Sequence, residues 1–268
     1  MFKDLLSLQI FNKITFFEKG HKYTVDGKPA PMSVSKLIGC YEPEFATDEI
    51  SKRKAHQLGV SQEEILEIWR IKNLFSTQQG TILHYYIDNY FRNRISSFED
   101  IDKNHDSFDA ETKSKLRNNL KILIGYFDNF YNDHKHLLPI KNEFVLGDID
   151  DTNICGTLDL LVYNTRIGEY EIYDFKTNRE FKMKSEYNNK FLEPVSHLDV
   201  CENDIYALQM SLYQLLLEKY TTIKIAGNYA VWFYSKNDNY KIFKMEDRRK
   251  EAGLLLQHVK STISISKQ

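Results

Sequence analysis

The chain has 268 residues, of which 42% are hydrophobic and 13% aromatic, and its formal net charge at pH 7 is −2. This length and composition are typical of a globular protein whose core needs no disulfide support. The charge neither indicates nor excludes a nucleic-acid partner, because an enzyme can meet phosphates through metals and a local basic patch.

The cysteine pattern argues against several kinds of site. Cys40, Cys155 and Cys201 are widely spaced and form no C-x-x-C pair, which argues against zinc ribbons and cysteine-ligated clusters and favours a reducing compartment. No apolar run approaches the ~20 residues that span a bilayer, and the first residues lack a signal-peptide profile. A cytoplasmic protein without membrane association is therefore expected.

The first predicted element is a β-hairpin. Residues 14–32 mix aromatic and polar positions around Asp26-Gly27, a pair typical of tight turns. Ser33 follows as the N-cap of a helix. The free N–H groups of that helix would also suit a phosphate, with assistance from Lys36 one turn further on, but plain capping is the favoured interpretation.

Helices are predicted over most of the next hundred residues. They cover residues 46–58, 61–75 with a Ser61/Glu64 capping box, 80–94 and 110–134, and a polar surface loop or lid is predicted at 96–108. Gly80 lies one turn before His84, where its missing side chain allows a backbone or a ligand to approach closely. Taken alone, a single histidine is more often structural than a metal ligand.

A second hairpin is predicted in the middle of the chain. Residues 156–163 and 169–176 are rich in Leu, Val, Ile, Tyr and Phe, and the segment between them has turn chemistry at both ends. The predicted register pairs Tyr163 with Tyr170, Leu161 with Ile172, Asp159 with Asp174, and Thr157 with Lys176.

This register places two carboxylates opposite each other. Side chains opposed in this way lie about 5 Å apart at Cβ, and like charges there destabilise a sheet unless something compensates. A divalent cation between Asp159 and Asp174 would compensate, and Lys176 would reach a metal-held water from the same face. The alternative is a surface hairpin with ordinary charges, since D-x-K triplets are common.

Glu143 lies on a strand predicted at 140–146, ahead of this hairpin. An ordinary exposed position is favoured for its side chain over a place in the same site.

The C-terminal part completes a mixed α/β pattern. Residues 177–203 form a long polar loop, whose basic and aromatic portion suits either a grip on a single strand or plain disorder. A helix at 204–220 carries Gln209 and Tyr213 on one face. A hairpin of residues 225–234 and 240–245 and a closing helix at 246–259 follow.

Four short motifs occur in order along the chain. They are G-x-x-x-H at Gly80–His84, G-x-x-D at Gly156–Asp159, D-x-K-T at Asp174–Thr177 and Q-x-x-x-Y at Gln209–Tyr213. Each is weak alone, but the ordered set resembles the RecB-type branch of the PD-(D/E)xK nuclease superfamily. The hairpin ahead of Ser33 and the approach from Trp69 to Gly80 look like phage exonucleases and the mitochondrial genome maintenance exonuclease. The resemblance covers roughly residues 20–235.

The resemblance implies a restriction-endonuclease-like core, a mixed central sheet flanked by helices, with a helical N-terminal part. A single nuclease domain over residues 1–268 is expected, with the hairpin and helical part at 1–135 and the core at 136–268. It also implies that His84, Asp159 and Asp174 bind Mg²⁺ or Mn²⁺, with two ions expected.

The same resemblance implies roles for the neighbouring residues. The Phe175 carbonyl would be a further metal ligand, and Lys176 would orient or activate the attacking water. Gln209 and Tyr213 would line the site and position Lys176 or the nucleic-acid backbone.

The implied activity is that of a metal-dependent deoxyribonuclease, an exonuclease on single-stranded DNA or DNA ends in replication, recombination or repair, in a bacterial or phage context. A structure- or sequence-specific endonuclease and a non-catalytic DNA-binding module are the alternatives. Three scattered cysteines cannot supply the four ligands of the iron–sulfur cluster that some RecB-type nucleases carry. No G-x-x-x-x-G-K-[ST] loop of a helicase motor is present, so a stand-alone nuclease is expected.

Overall fold

A five-stranded mixed sheet forms the centre of the fold. The computed structural model describes residues 2–94 and 108–265. Its strands are β1 (Ile14–Phe17), β2 (Lys22–Val25), β3 (Lys28–Pro29), β4 (Leu137–Gly147), β5 (Cys155–Asn164), β6 (Glu169–Lys176), β7 (Ile225–Trp232) and β8 (Lys241–Lys244). Its helices are α1 (Phe2–Ser7), a 3-10 helix (Leu8–Lys13), α2 (Val34–Gly39), α3 (Thr47–Leu58), α4 (Gln62–Phe91), α5 (Ala110–Asp133), α6 (Glu202–Tyr220) and α7 (Arg249–Ile265).

The strand order of the central sheet is β4-β5-β6-β7-β8. Strands β6 and β7 are parallel and are joined by a crossover through α6, whereas the other neighbours are antiparallel. The predicted class is therefore confirmed: an α/β fold with a mixed sheet flanked by helices and a helical N-terminal part.

Alternating residues of β6 face two separate cores. Ile172 packs into the core that α2, α6 and α7 cover, whereas Tyr173 and Phe175 pack into the core beneath α4 and α5. Because successive side chains of a strand point to opposite faces, Asp174 and Lys176 are turned toward the α6 side. This alternation decides which helices surround the acidic end of the strand.

The predicted N-terminal hairpin is confirmed and gains a third strand, in the order β1-β2-β3. Asp26 and Gly27 form the turn between β2 and β3 with φ values of +48° and +77°, a left-handed conformation that Gly and short polar residues tolerate best. Ser33 caps α2 as predicted, since its side chain accepts a hydrogen bond from the Lys36 N–H at 3.2 Å.

One prediction about the helices is wrong. The separate helices predicted at 61–75 and 80–94 are a single 30-residue helix, α4, which continues through Gly80. The Ser61/Glu64 capping box at its start is confirmed. Among residues 2–94 and 108–265 no helix is long and apolar enough to cross a membrane. The loop or lid predicted at 96–108 lies almost entirely outside the described residues.

A buried carboxylate ties the turn between β4 and β5 to the end of α6. Asp148 accepts hydrogen bonds from the Thr152 hydroxyl at 2.7 Å, from Lys219 Nζ at 2.7 Å and from the Tyr220 hydroxyl at 2.6 Å. Burial would raise the pKa of Asp148, but the bonds from Lys219, Tyr220 and Thr152 hold it below its usual value. Ionised Asp148 therefore stabilises the folded state.

We expect Asp148→Asn to lower the free energy of unfolding at pH 7 by about 1–3 kcal/mol, because a buried charge-assisted network is broken. Since the folded-state pKa is depressed, the contribution is complete above the unfolded-state pKa of about 4 and is lost as pH falls through the folded-state value. Urea denaturation from pH 7 to pH 3 should show the gap to wild type shrinking. An unchanged gap would contradict this account, and Glu169→Gln, at an exposed position, serves as the control.

Candidate active site

The site begins where β5 and β6 separate. Their ladder includes Tyr163–Tyr170 and Leu161–Ile172, as predicted, and ends at Leu160–Tyr173. Beyond it, Asp159 Oδ2 accepts a hydrogen bond from the Phe175 N–H at 2.7 Å, so a side chain replaces the next backbone partner. The predicted register is therefore confirmed up to Leu160–Tyr173, whereas the predicted pairs Asp159–Asp174 and Thr157–Lys176 lie beyond the end of the ladder.

The two aspartates nevertheless interact with each other and with the lysine. Asp159 and Asp174 are both buried, and burial together with the charge of Asp174 raises the pKa of Asp159 to about 8. Burial would lower the pKa of Lys176, but the charges of Asp174 and Asp159 raise it. Shifts from neighbouring charges require close approach. The structure thus brings together the three residues that the hairpin prediction grouped.

His84 reaches this cluster from α4. Its Nε2 donates to the Phe175 carbonyl oxygen at 3.0 Å, and its Nδ1 lies 3.2 Å from Glu143 Oε1 and 3.6 Å from Asp159 Oδ1. Burial would lower the pKa of His84, but the charges of Asp159 and Glu143 raise it to about 9. Without a metal, the imidazole is therefore held as a cation among oxygen acceptors.

The ordinary exposed strand position that was favoured for Glu143 is wrong. Its side chain is half-buried, contacts His84, and lies within 4.8 Å of the ligand atoms of His84 and Asp159. Its φ of +44° is left-handed, which is uncommon for a residue other than glycine and accompanies functional constraint. The sequence does place a glutamate on the strand before the G-x-x-D strand. The register that brings Glu143 opposite Asp159 could not be predicted, because the turn between β4 and β5 is irregular.

The donor set fits a divalent cation. Glu143 and Asp159 offer carboxylate oxygens beside the His84 imidazole, and Asp174, on the next strand, offers a third carboxylate paired with Lys176. Asp174 Oδ1 is buried and has no hydrogen-bond partner in the part of the chain that the structure describes, and a buried polar atom in that state is costly. Oxygen ligands with one imidazole suit Mg²⁺ or Mn²⁺.

Lys176 connects the carboxylates to α6. Its ammonium forms an ion pair with Asp174 and donates to Gln209 Oε1 at 3.2 Å. Gln209 Nε2 in turn donates to the Tyr213 hydroxyl at 3.2 Å. The Q-x-x-x-Y motif therefore meets the D-x-K motif through a continuous chain of polar contacts.

The segment after Lys176 packs against the start of the G-x-x-x-H motif. A Cβ atom at Gly80 would lie 3.3 Å from the Thr177 hydroxyl, so the glycine makes room for that side chain. Gln79 Nε2 donates to the Thr177 carbonyl at 3.3 Å, and Asn119 of α5 donates to Gln79 Oε1 at 3.0 Å. Helix α5 thus supports the end of β6 through Asn119 and Gln79.

Ser33 and Lys36, which the sequence offered as candidate substrate contacts beside the favoured capping role of Ser33, lie at the edge of this arrangement. Ser33 pairs with Cys155 at the start of β5, and Lys36 is exposed. Among the described residues, neither side chain forms a hydrogen bond or ion pair with the site carboxylates. The structure therefore places Ser33 beside the strand of Asp159 without bringing either residue into the acidic cluster.

The sequence model of the PD-(D/E)XK nuclease superfamily matches residues 58–266, more than half of the chain. The chain belongs to this superfamily. Membership of the PD-(D/E)XK nuclease superfamily indicates nuclease activity on nucleic acid with divalent metal ions, and the His84–Glu143–Asp159 cluster could hold such an ion.

Two further comparisons add less. The chain is similar to a solved structure described as the crystal structure of SSO0001, with 13% sequence identity and a TM-score of 0.31. That match covers 56% of this chain and 60% of the other, less than two thirds of its length. No curated protein matches the sequence.

The N-terminal sheet of this PD-(D/E)XK protein also reaches the site, which the sequence did not indicate. The Tyr23 hydroxyl lies 3.0 Å from the Thr157 hydroxyl, and burial raises the pKa of Tyr23, to which the charge of Glu143 adds. Nothing in the sequence relates these residues, because they lie 134 positions apart. Thr157 was instead predicted to face Lys176.

Gly156 allows two helices to meet β5. A Cβ atom there would lie 2.7 Å from Tyr213 Cε1 and 3.2 Å from Val34 Cγ2. We expect Gly156→Ala to lower the free energy of unfolding by about 1–3 kcal/mol, because ring and helix must shift. Chemical denaturation would measure this.

Gly125→Ala is the matched control, since a Cβ atom at this helical position meets nothing within 4 Å. It should stabilise the protein by up to about 1 kcal/mol. Unfolding midpoints that move in the same direction for both variants would refute the proposed packing at Gly156.

Proposed function

We propose that this protein is a metal-dependent deoxyribonuclease of the RecB type, an exonuclease on single-stranded DNA or DNA ends. The observation that carries the proposal is the convergence at the end of β6 of the His84, Glu143 and Asp159 cluster with the Asp174–Lys176 ion pair. Hydrolysis of a phosphodiester brings a nucleophile to an anion, so a site with carboxylates for metal ions and one ammonium suits it.

Asp159, Asp174, Glu143 and His84, with the Phe175 carbonyl, would hold one or two Mg²⁺ or Mn²⁺ ions. When bound, such ions neutralise phosphate charge and lower the pKa of a coordinated water. His84 would give up its proton on becoming a ligand, since only the neutral imidazole coordinates metals.

Lys176 would act as a cation. Its pKa lies above the usual lysine value, so the ammonium keeps its proton and serves to orient the attacking water or a phosphate oxygen. Gln209 would hold that ammonium in place through its contact at 3.2 Å, and Tyr213 would hold Gln209.

The finer parts of the proposal rest on the resemblance of the four motifs to exonucleases. They are a single nuclease domain over residues 1–268 with its core at 136–268, a role in replication, recombination or repair, and a cytoplasmic, bacterial or phage setting. The free cysteines Cys40, Cys155 and Cys201 suit a reducing compartment.

We expect Lys176→Ala and Asp174→Asn to reduce Mn²⁺-dependent degradation of linear single-stranded DNA by about 10²–10⁴-fold, the range for removing a positioned catalytic group. Release of labelled nucleotides, with circular dichroism to check folding, would measure this. Lys244→Ala, at an exposed lysine on β8, is the matched control. Undiminished activity in the folded Lys176 and Asp174 variants would rule out the proposed site.

A covalently closed single-stranded circle separates the two nuclease classes. An obligate exonuclease should leave the circle intact while degrading the same DNA after linearisation. Cleavage of the circle would replace the exonuclease proposal with an endonuclease, and DNA binding with neither Mn²⁺ binding nor turnover would leave a non-catalytic module.

Glu143→Gln should weaken Mn²⁺ binding about 10–100-fold, because it removes a negative charge from beside His84 and Asp159. Isothermal calorimetry with Mn²⁺ and no DNA would measure the dissociation constant. Glu18→Gln, at an exposed acid of the turn between β1 and β2, should bind Mn²⁺ like wild type. Equal affinity of all three proteins would remove Glu143 from the metal site.

A further inference from the structure

The Tyr206 ring packs directly on the Lys176 ammonium. Lys176 Nζ lies 4.4 Å from the centroid of the Tyr206 ring, within the range of a cation–π contact. Tyr206 is half-buried on α6, one turn before Gln209. It belongs to none of the four motifs.

An aromatic cluster holds this ring in place. Trp232 is the partner of Lys176 in the parallel β6–β7 register, so both side chains lie on one face of the sheet. Phe181, from the loop after β6, stacks on Phe243 with ring centroids 4.0 Å apart. Its ring makes an edge contact with Tyr206 at 5.6 Å and a tilted contact with Trp232 at 6.1 Å. Phe181, itself packed on Trp232 and Phe243, therefore limits the movement of the Tyr206 ring.

Lys176 needs such support because a lysine side chain is a flexible four-carbon stem. Its described partners are the Asp174 carboxylate, the Gln209 amide oxygen and the Tyr206 ring face. When Asp174 shares its carboxylate with a metal ion, its attraction for Lys176 weakens. Gln209 and Tyr206 then remain to fix the ammonium.

We propose that Tyr206 is a positioning residue that fixes the Lys176 ammonium through its ring face. This inference rests on the proposed nuclease function and extends it to a residue outside the motifs. The ring carries the effect, and the hydroxyl does not. Tyr206→Phe should therefore behave like wild type, whereas Tyr206→Leu should not.

Steady-state degradation of linear single-stranded DNA with Mn²⁺ tests the catalytic consequence. We expect Tyr206→Leu to lower kcat about tenfold with KM changed less than about twofold, and Tyr206→Phe to restore kcat. Tyr163→Leu replaces another half-buried tyrosine, which packs on Tyr170 at 5.2 Å away from the site, and should keep wild-type kcat.

Nuclear magnetic resonance on protein labelled with ¹³C-lysine tests the placement without activity. The Lys176 ε-methylene signals, assigned by their loss in Lys176→Arg, should be shifted upfield by the ring current in wild type and in Tyr206→Phe but not in Tyr206→Leu. Wild-type signals without an upfield shift would overturn the inference.

The two proposals can fail separately. Active wild-type protein together with an equally active Tyr206→Leu variant would overturn the positioning role alone. Inactive wild-type protein would overturn the nuclease proposal, and with it the catalytic consequence of Tyr206, while the lysine spectra would still decide whether the ring fixes the ammonium.

Discussion

The hydrogen bond from the Phe175 N–H to Asp159 Oδ2 is the interaction on which the site depends. A backbone N–H at a sheet interior needs a partner, and here a carboxylate supplies it in place of the opposite strand. The strands can therefore separate without leaving that group unsatisfied. The Phe175 carbonyl accepts a hydrogen bond from His84, so both backbone groups of Phe175 have side-chain partners where the ladder ends.

That geometry places two carboxylates in a buried region, where burial disfavours their ionised form. Asp159 and Asp174 are 8% and 1% exposed, and ionised carboxylates so placed are costly unless cations or hydrogen bonds compensate. Lys176 and a protonated His84 supply part of the compensation, which explains why the pKa of His84 lies at about 9. The unpartnered Asp174 oxygen and the oxygen acceptors around His84 are groups that a divalent cation would satisfy.

The sequence predicted the parts of the site that local rules govern. Alternation and turn chemistry gave the register up to Leu160–Tyr173, because those rules act over a few residues. The end of that ladder was not predictable, since it depends on a side chain replacing a backbone partner. Glu143 was misplaced because the irregular turn between β4 and β5 leaves no local pattern from which its register could be predicted. Tyr23 was missed because it lies 134 residues from Thr157 in the sequence.

The continuity of α4 is explained by two long-range contacts, which no local sequence pattern predicts. Gln79 contacts the Thr177 carbonyl and His84 contacts the Phe175 carbonyl, so the helix runs antiparallel to the end of β6 and contacts it on two successive turns. Five helical residues advance about 7.5 Å and two strand residues about 6.6 Å, so the two contacts match only if the helix is unbroken between them. A glycine ordinarily weakens a helix, but Gly80 leaves space for the Thr177 side chain, and the unbroken helix holds His84 beside the carboxylates of Glu143 and Asp159.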